Sequence, residues 1–276
     1  MAVMAVWAAV LIAYRVSTGS AIESASGTSG SKTALPLDMA EDSVDDMYSY
    51  CKDKMMSKVQ SEILENEKNK NEKFKSAWNK AEEVYNQSWK PKTATLSPYA
   101  LTKEEFIAVY VYTSAPGDPH IEFNNAVRNS RSAYKTTFGY HALHFFLTTA
   151  VQKLNSEAGK CTTGYRGVNV ALKDNVLNKE IRFGSFASTT MFGLAKAKQY
   201  GDKSCFKILT CFGGDVSIYS KFGDAEAEVL IPPYEVFKVK SIKKRSEQPG
   251  LECEVVYEVD STEIEHSGLN CAFFPK

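Results

Sequence analysis

No stretch of this chain is long and apolar enough to cross a membrane, which takes about 18–20 consecutive apolar residues. The longest apolar run, residues 1–14 (MAVMAVWAAVLIAY), falls short of that span, and no Lys or Arg precedes it. Charge of one sign is not in excess either. Lys+Arg and Asp+Glu both total 33, so the sequence carries no electrostatic footprint for nucleic acid or an anionic lipid surface. No C-x-x-C pair occurs, and Cys205 and Cys211 stand too far apart in sequence for one, which argues against a zinc site. Internal repeats and low-complexity tracts are missing. After Cys271 the sequence reads Ala-Phe-Phe-Pro-Lys, without the polar spacer and apolar tail of a lipid-anchor signal, so a released rather than tethered protein is expected.

What is present fits a secreted globular protein. Gly19 and Ala21 follow the first apolar run at the −3 and −1 positions of a cleavage site, so residues 1–21 read as a signal peptide. Residues 22–36, rich in Ser, Gly, Thr and Ala, read as a flexible leader. Residues 37–276 have no linker and read as one domain. Six cysteines on a chain entering the secretory pathway favour three disulfides, for which spacing alone permits fifteen pairings. Asn86-Gln87-Ser88 is a glycosylation acceptor sequence.

The first half has helical texture. Val44, Met47, Tyr48, Cys51, Met55, Val59 and Ile63 fall on helix spacing, which predicts a long helix opening at residue 37 and interrupted over Asn66–Lys73. A second helix is predicted from Lys73 to Ser88, stopped by Pro91. Thr102-Lys103-Glu104-Glu105 has the form of a capping box for a third. The run Pro116–Pro119 predicts a turn, followed by helices over 121–129 and about 140–153. His141 and His144 lie one turn apart on the last of these. Without a further ligand beside them they read as packing residues, not as a metal site. From Cys161 onward the chain changes to short β-branched and aromatic segments at 163–170, 180–188, 204–212, 214–220, 226–231, 235–242, 251–260 and 269–274. Helices first and strands afterwards predict an α+β fold with mainly antiparallel sheets.

One strand stands out. Asp224-Ala225-Glu226-Ala227-Glu228-Val229-Leu230-Ile231-Pro232-Pro233 passes from acidic to wholly apolar and ends in two prolines. In extended backbone Glu226 and Glu228 would share one face, with Ala227, Val229 and Ile231 turned to the core. Two neighbouring carboxylates are either a solvated face or a cleft in which one acid stabilises a developing cation while the other orients a second reactant. Three motifs precede this strand: Gly164-Tyr165-Arg166-Gly167, Phe183–Thr190 ending in Ser188-Thr189-Thr190, and Gln199-Tyr200-Gly201.

In this order, over roughly Leu37 to Phe274, the set resembles the ecto-enzyme family of mono-ADP-ribosyltransferases, whose signature is an Arg, a Ser-Thr-Ser-like motif and Glu-x-Glu. The resemblance implies N-terminal helices packed on antiparallel sheets around an NAD-binding cleft, with NAD or NADP as co-substrate and no metal. It implies that Arg166 binds the phosphates of NAD, where a guanidinium offers parallel donors. Gly167 would present backbone to the nicotinamide carboxamide, and Tyr200 would stack on the ring. Ser188 would hold the catalytic acid, Glu228. Glu226 would meet an acceptor arginine of an extracellular or cell-surface protein. Thr190 replaces a final Ser and Tyr200 replaces a Phe of the pattern, each keeping the relevant chemistry. The resemblance also implies the disulfides Cys51–Cys271 and Cys161–Cys211, which leaves Cys205 with Cys253. The expected protein is a secreted, extracellular, monomeric arginine ADP-ribosyltransferase. The alternatives are an NAD glycohydrolase that uses water as acceptor, or an inactive binding module on the same fold.

Overall fold

The structure, a computed structural model, describes residues 34–89, 100–114 and 119–274. The signal-peptide expectation, the Pro91 stop and most of the Pro116–Pro119 turn lie outside these residues. Seven α-helices among the described residues precede or interleave with eight strands: α1 Lys52–Lys58, α2 Leu64–Lys70, α3 Glu72–Val84, α4 Lys103–Tyr112, α5 His120–Asn129, α6 His141–Ala158 and α7 Leu194–Ala197. The strands are β1 Thr162–Val168, β2 Glu180–Ile181, β3 Ala187–Thr190, β4 Ser204–Thr210, β5 Gly214–Asp215, β6 Glu228–Ile231, β7 Glu235–Lys244 and β8 Val255–Glu265. They form one sheet in the order β2-β7-β8-β4-β1-β3-β6-β5, antiparallel at every junction except the parallel pair β4–β8. The α+β expectation is met. No described helix is long and apolar enough to cross a membrane.

Helices α3 to α6 and the irregular segment before α1 enclose an aromatic-rich core that includes Phe74, Trp78, Phe106, Phe123, Phe145 and Phe146. Phe186, immediately before β3, and Leu230 of β6 join it. A second core, on Phe206, Phe237, Tyr257 and Val259, gathers strand residues, among them Ala187 and Ile231. Neighbouring residues of β3 and β6 therefore serve different cores, as the two-residue period of a strand requires.

Several element boundaries differ from the sequence expectation. Leu35, expected in the loose leader, pairs with Leu172 in a parallel bridge closed by hydrogen bonds at Leu35 N–H and Leu35 C=O. Residues 37–51 are not helical. Asp38 and Asp46 each accept the N–H two residues ahead, at Ala40 and Tyr48, and Ala40 and Tyr48 adopt positive φ. Such local side-chain bonds compete with a helix, and the apolar spacing instead reflects burial against α6. Asn66–Lys73 interrupts less than expected: α2 runs to Lys70, and only Asn71 breaks it, capping α3 by accepting Phe74 N–H at 3.0 Å. Between α1 and α2 the chain loosens into one π-helical stretch, Val59–Ile63. The Thr102 capping box forms as expected, with both reciprocal bonds to Glu105. Segment 180–188 divides into β2 and the start of β3 around a turn at Gly184, and segment 214–220 is strand only over its first two residues. Residues 269–274 form turns, not a strand. Their backbone bonds are divided between the turns themselves and two side chains: Asp45 accepts Leu269 N–H and Asp46 accepts Cys271 N–H.

Three disulfides join Cys51–Cys271, Cys161–Cys211 and Cys205–Cys253, the pairs expected. The first closes a loop of sequence separation 220, worth about 5 kcal/mol of lost unfolded-chain entropy. Beside it, buried Arg182 donates to Asp45 Oδ2 at 2.8 Å and to the carbonyls of Met39, Ala40 and His266. Both histidines of α6 are packing residues as expected. His144 meets Tyr48 Oη and the Val44 carbonyl, and burial pushes its pKa down to about 4. His141 lies against Glu67, whose carboxylate accepts the N–H of His141 and of Ala142 and so caps α6 from a distant helix.

Candidate active site

Glu228 opens β6 with only 3% of its surface exposed. A carboxylate is tolerated there because two hydroxyls donate to it: Ser188 Oγ to Oε1 at 2.5 Å and Ser220 Oγ to Oε2 at 3.1 Å. The first contact follows from register. Ser188 pairs with Leu230 across the β3–β6 ladder, and Glu228 is two residues before Leu230, so Ser188 and Glu228 share a face. Burial raises the Glu228 pKa above its ordinary value. The two serines and nearby Arg166 oppose that rise, and the charge of Glu226 adds to it.

Arg166 lies in the middle of β1 and donates from its guanidinium to the Ser188 carbonyl at 2.7 Å. The same Ser188 thus holds Glu228 with its side chain and Arg166 with its backbone. Thr189 Oγ1 donates to the Val229 carbonyl, and Thr190 Oγ1 to the Glu226 carbonyl at 2.7 Å. The hydroxyl triplet ties β3 to the acidic motif at three successive points.

Gly167 follows Arg166 and faces the short segment formed by α7 and the 3-10 turn Lys198–Tyr200. A Cβ at Gly167 would lie 2.3 Å from the carbonyl oxygens of both Ala197 and Gly201. Its bare backbone lets that segment sit against β1 and carry Tyr200 to the site. The Tyr200 ring is 54% exposed, and its hydroxyl donates to Glu226 Oε1 at 2.7 Å.

Glu226 does not lie on the strand. It closes the 3-10 turn Gly223–Ala225 with φ −111° and ψ −18°, and Ala227 takes φ +41° before β6 begins. The two acids therefore do not share a face by strand alternation, and Ala227 is only half-buried rather than a core residue. A left-handed alanine costs about 1–2 kcal/mol. Bonds from Thr190 Oγ1 to the Glu226 carbonyl, from Met191 N–H to the Ala227 carbonyl and from Val216 N–H to the Glu228 carbonyl hold it there. The outcome is one buried acid and one acid at the rim, where a flat strand would have given two equivalent ones.

Arg166, Gly167, Ser188, Tyr200, Glu226 and Glu228 are thus linked by contacts into one cluster, although they come from five elements. Two further residues join them that the sequence did not single out. Ser220, in the loop before Glu226, reaches the buried carboxylate with its hydroxyl. Tyr112, on α4, donates to the Phe186 carbonyl and lies within electrostatic range of Arg166 and Glu228; burial pushes its pKa up to about 12. No sequence signal separates Tyr112 from the other aromatic residues of α4. For Ser220 the signal is a hydroxyl placed eight residues before Glu228.

Comparison with known proteins agrees with this geometry. The sequence profile of the family described as "NAD:arginine ADP-ribosyltransferase" matches residues 37–254. The chain is 33% identical to ecto-ADP-ribosyltransferase 5 of Homo sapiens over 249 residues, covering 87% of this chain and 81% of that protein. It is 34% identical to NAD(P)(+)–arginine ADP-ribosyltransferase 1 of Gallus gallus over 235 residues, covering 83% and 73%. The crystal structure of the eukaryotic mono-ADP-ribosyltransferase ART2.2 superposes with a TM-score of 0.71 at 29% identity, covering 87% of this chain and 99% of that one. A single-residue variant of ART2.2 has been solved in complex with NAD.

Proposed function

The chain belongs to the NAD:arginine ADP-ribosyltransferase family, and on that premise we propose that Glu228, Ser188, Arg166 and Glu226 carry the transfer of ADP-ribose to arginine. It is an NAD-dependent arginine ADP-ribosyltransferase that consumes NAD as a co-substrate and modifies protein arginines. The observation that carries the residue assignment is the Ser188–Glu228 contact at 2.5 Å, with Arg166 bonded to the Ser188 carbonyl.

The chemistry follows from charge. The bond between the ribose anomeric carbon and the nicotinamide nitrogen breaks, and its electron pair leaves with neutral nicotinamide. The sugar develops oxocarbenium character. Glu228, fixed by two serines, presents negative charge to it in a site poor in water, where such stabilisation is strongest. Arg166 offers parallel donors to the phosphates that stay with the sugar. Tyr200 offers a π-face to the nicotinamide ring, and Gly167 brings backbone close to its carboxamide. A guanidinium is protonated at neutral pH and a poor nucleophile. Glu226, exposed enough to be reached, orients it and draws off its proton as the new C–N bond forms.

The protein acts on the extracellular side, as its ecto-enzyme relatives do. We read it as secreted rather than anchored, as one catalytic domain over residues 37–276 that works as a monomer, since one chain supplies the whole cleft. Its distribution between culture medium and washed membranes tests the first point, and sedimentation tests the last. The function itself is tested with labelled NAD and two acceptors, agmatine and water. Glu226→Gln should keep nicotinamide release while agmatine labelling falls at least about tenfold, the loss of one charge-assisted contact. Undiminished labelling would remove Glu226 from acceptor handling.

A further inference from the structure

Met191, Phe192, Tyr200 and Ile218 are among the large hydrophobic side chains left exposed in the described residues, and the segment carrying each is hydrogen-bonded to the stretch 226–228. Strand order explains the gathering. β3, β6 and β5 are antiparallel neighbours, so the end of β3, the start of β6 and the end of β5 meet at one edge of the sheet. On one side, the Thr190 hydroxyl that donates to the Glu226 carbonyl also accepts Phe192 N–H at 3.2 Å, and Met191 N–H bonds the Ala227 carbonyl at 3.0 Å. On the other side, Ile218 lies in the turn between Val216, bonded to the Glu228 carbonyl, and Ser220, bonded to the Glu228 carboxylate. Phe192 and Ile218 keep 56% and 55% of their surface exposed. Neither has a part in the chemistry of NAD described above.

Single exposed apolar residues are ordinary, but several at one place mark an interaction surface. We propose that this rim receives the acceptor protein, and that the acceptor is an arginine with bulky apolar side chains two positions to either side. The inference rests on Glu226 being the acid that meets the acceptor. Charge complementarity fixes the central residue: Glu226 is a carboxylate at the rim, and a planar guanidinium matches it. Charge does not select the flanks, because Lys221 and Asp224, both exposed on the same loop, have opposite signs. Surface chemistry does. A guanidinium docked on Glu226 stands at the end of a flexible stem, so the backbone that carries it passes over the sheet edge. Extended backbone advances about 3.3 Å per residue and alternates its side chains, so the residues two positions before and after the arginine face the protein with it, one toward Phe192 and the other toward Ile218. Covering the exposed half of each is expected to favour such an acceptor about three- to fivefold per contact.

The test compares three end-blocked pentapeptides and agmatine as acceptors, each peptide with Gly on both sides of a central arginine and, at the two ends, Leu and Phe, two Gly, or two Glu. The native protein should use the apolar-flanked peptide about tenfold better in kcat/KM than the glycine-flanked one. The double variant Phe192→Ser, Ile218→Ser should bring the two within about twofold, while its transfer to agmatine stays at the native rate. Equal use of the two peptides by the native protein would overturn the proposal. So would a preference for acidic flanks, or an apolar preference that survives the double variant. If the double variant does not fold, the native ratio decides, with Ile218→Ser as the milder replacement. No transfer to agmatine by the native protein would overturn the acceptor role of Glu226, and this inference with it.

Discussion

Replacing Glu228 with Gln should raise the stability of the fold while removing its activity. The residue is only 3% exposed, and desolvation outweighs its two serine bonds and Arg166, so its folded-state pKa lies above the unfolded value near 4.5. A raised carboxyl pKa means that the folded state binds more protons than the unfolded state between those two values. The associated stability is fully present below about pH 4.5 and is lost as pH rises through the folded pKa. Every tenfold by which folding tightens the carboxyl's hold on its proton leaves a penalty of about 1.4 kcal/mol at higher pH. Glutamine has nearly the same shape. Its amide oxygen can accept from Ser188 and its amide N–H can donate to Ser220 Oγ, so both contacts survive without the buried charge. For a domain of this size each kcal/mol moves Tm by about 2–4 °C. Calorimetry without NAD should therefore show Tm of Glu228→Gln above the parent at pH 8, by about 2–4 °C for each kcal/mol of that penalty, and converging on it near pH 4. Nicotinamide release should fall at least about 100–1,000-fold, the usual loss when one preorganised electrostatic contact to a transition state is removed. A lower Tm at pH 8, or a difference that does not change with pH, would refute the claim that burial of charge at Glu228 strains the fold.

Other expectations follow from neighbouring contacts. Ser220→Ala strips one donor from a buried carboxylate, a loss of about 1.5–3 kcal/mol. The acidic limb of its pH–rate profile should move to higher pH, with kcat/KM at pH 7 reduced about tenfold or more; an unmoved limb would make Ser220 merely structural. Gly167→Ala puts a Cβ against two backbone oxygens. It should displace the segment bearing Tyr200 and raise KM for NAD, by steady-state kinetics, more than it lowers Tm. The unfolded His144 imidazole takes up a proton near pH 6.5, whereas the folded one does so only at about 4. Stability should therefore fall by up to about 3 kcal/mol between those pH values. Urea titrations at pH 7, 5.5 and 4 should show the fall, and His144→Gln should reduce it.

The parts of the site legible in the sequence were those written in residue identity. Arg166, Ser188, Glu226 and Glu228 keep a recognisable order because the proposed chemistry draws on a guanidinium, a hydroxyl and two carboxylates, while at Tyr200 any aromatic face would serve. Local patterns also carried through where one face governs a segment, as in α4 with its Thr102 cap and α6 with its buried histidines. The misreadings share a cause. Over residues 37–51 the apolar spacing was real, but Asp38, Asp45 and Asp46 bond to backbone of the same stretch and of residues 269–271, and those long-range partners decide the conformation. At Glu226 the alternating pattern suggested a strand, yet the bond from Thr190 and the positive φ of Ala227 turn the chain out of it. Ser220 was hidden for a simpler reason: a serine in a polar loop shows nothing until the fold brings Glu228 to it.

The clasp between the two ends of the domain bears on how the protein is made. Asp45, Asp46 and Cys51 take partners from far along the chain, at Arg182, Leu269 and Cys271. During synthesis at about 5–20 residues per second, the first-made segment must wait tens of seconds for a complement that emerges last. Cys51 lacks its native partner throughout that interval, while Cys161, Cys205, Cys211 and Cys253 emerge first as premature partners. Correct oxidation of this chain is therefore a problem of timing, and an isomerase that reopens early bridges should set the yield of active enzyme more than the final stability does.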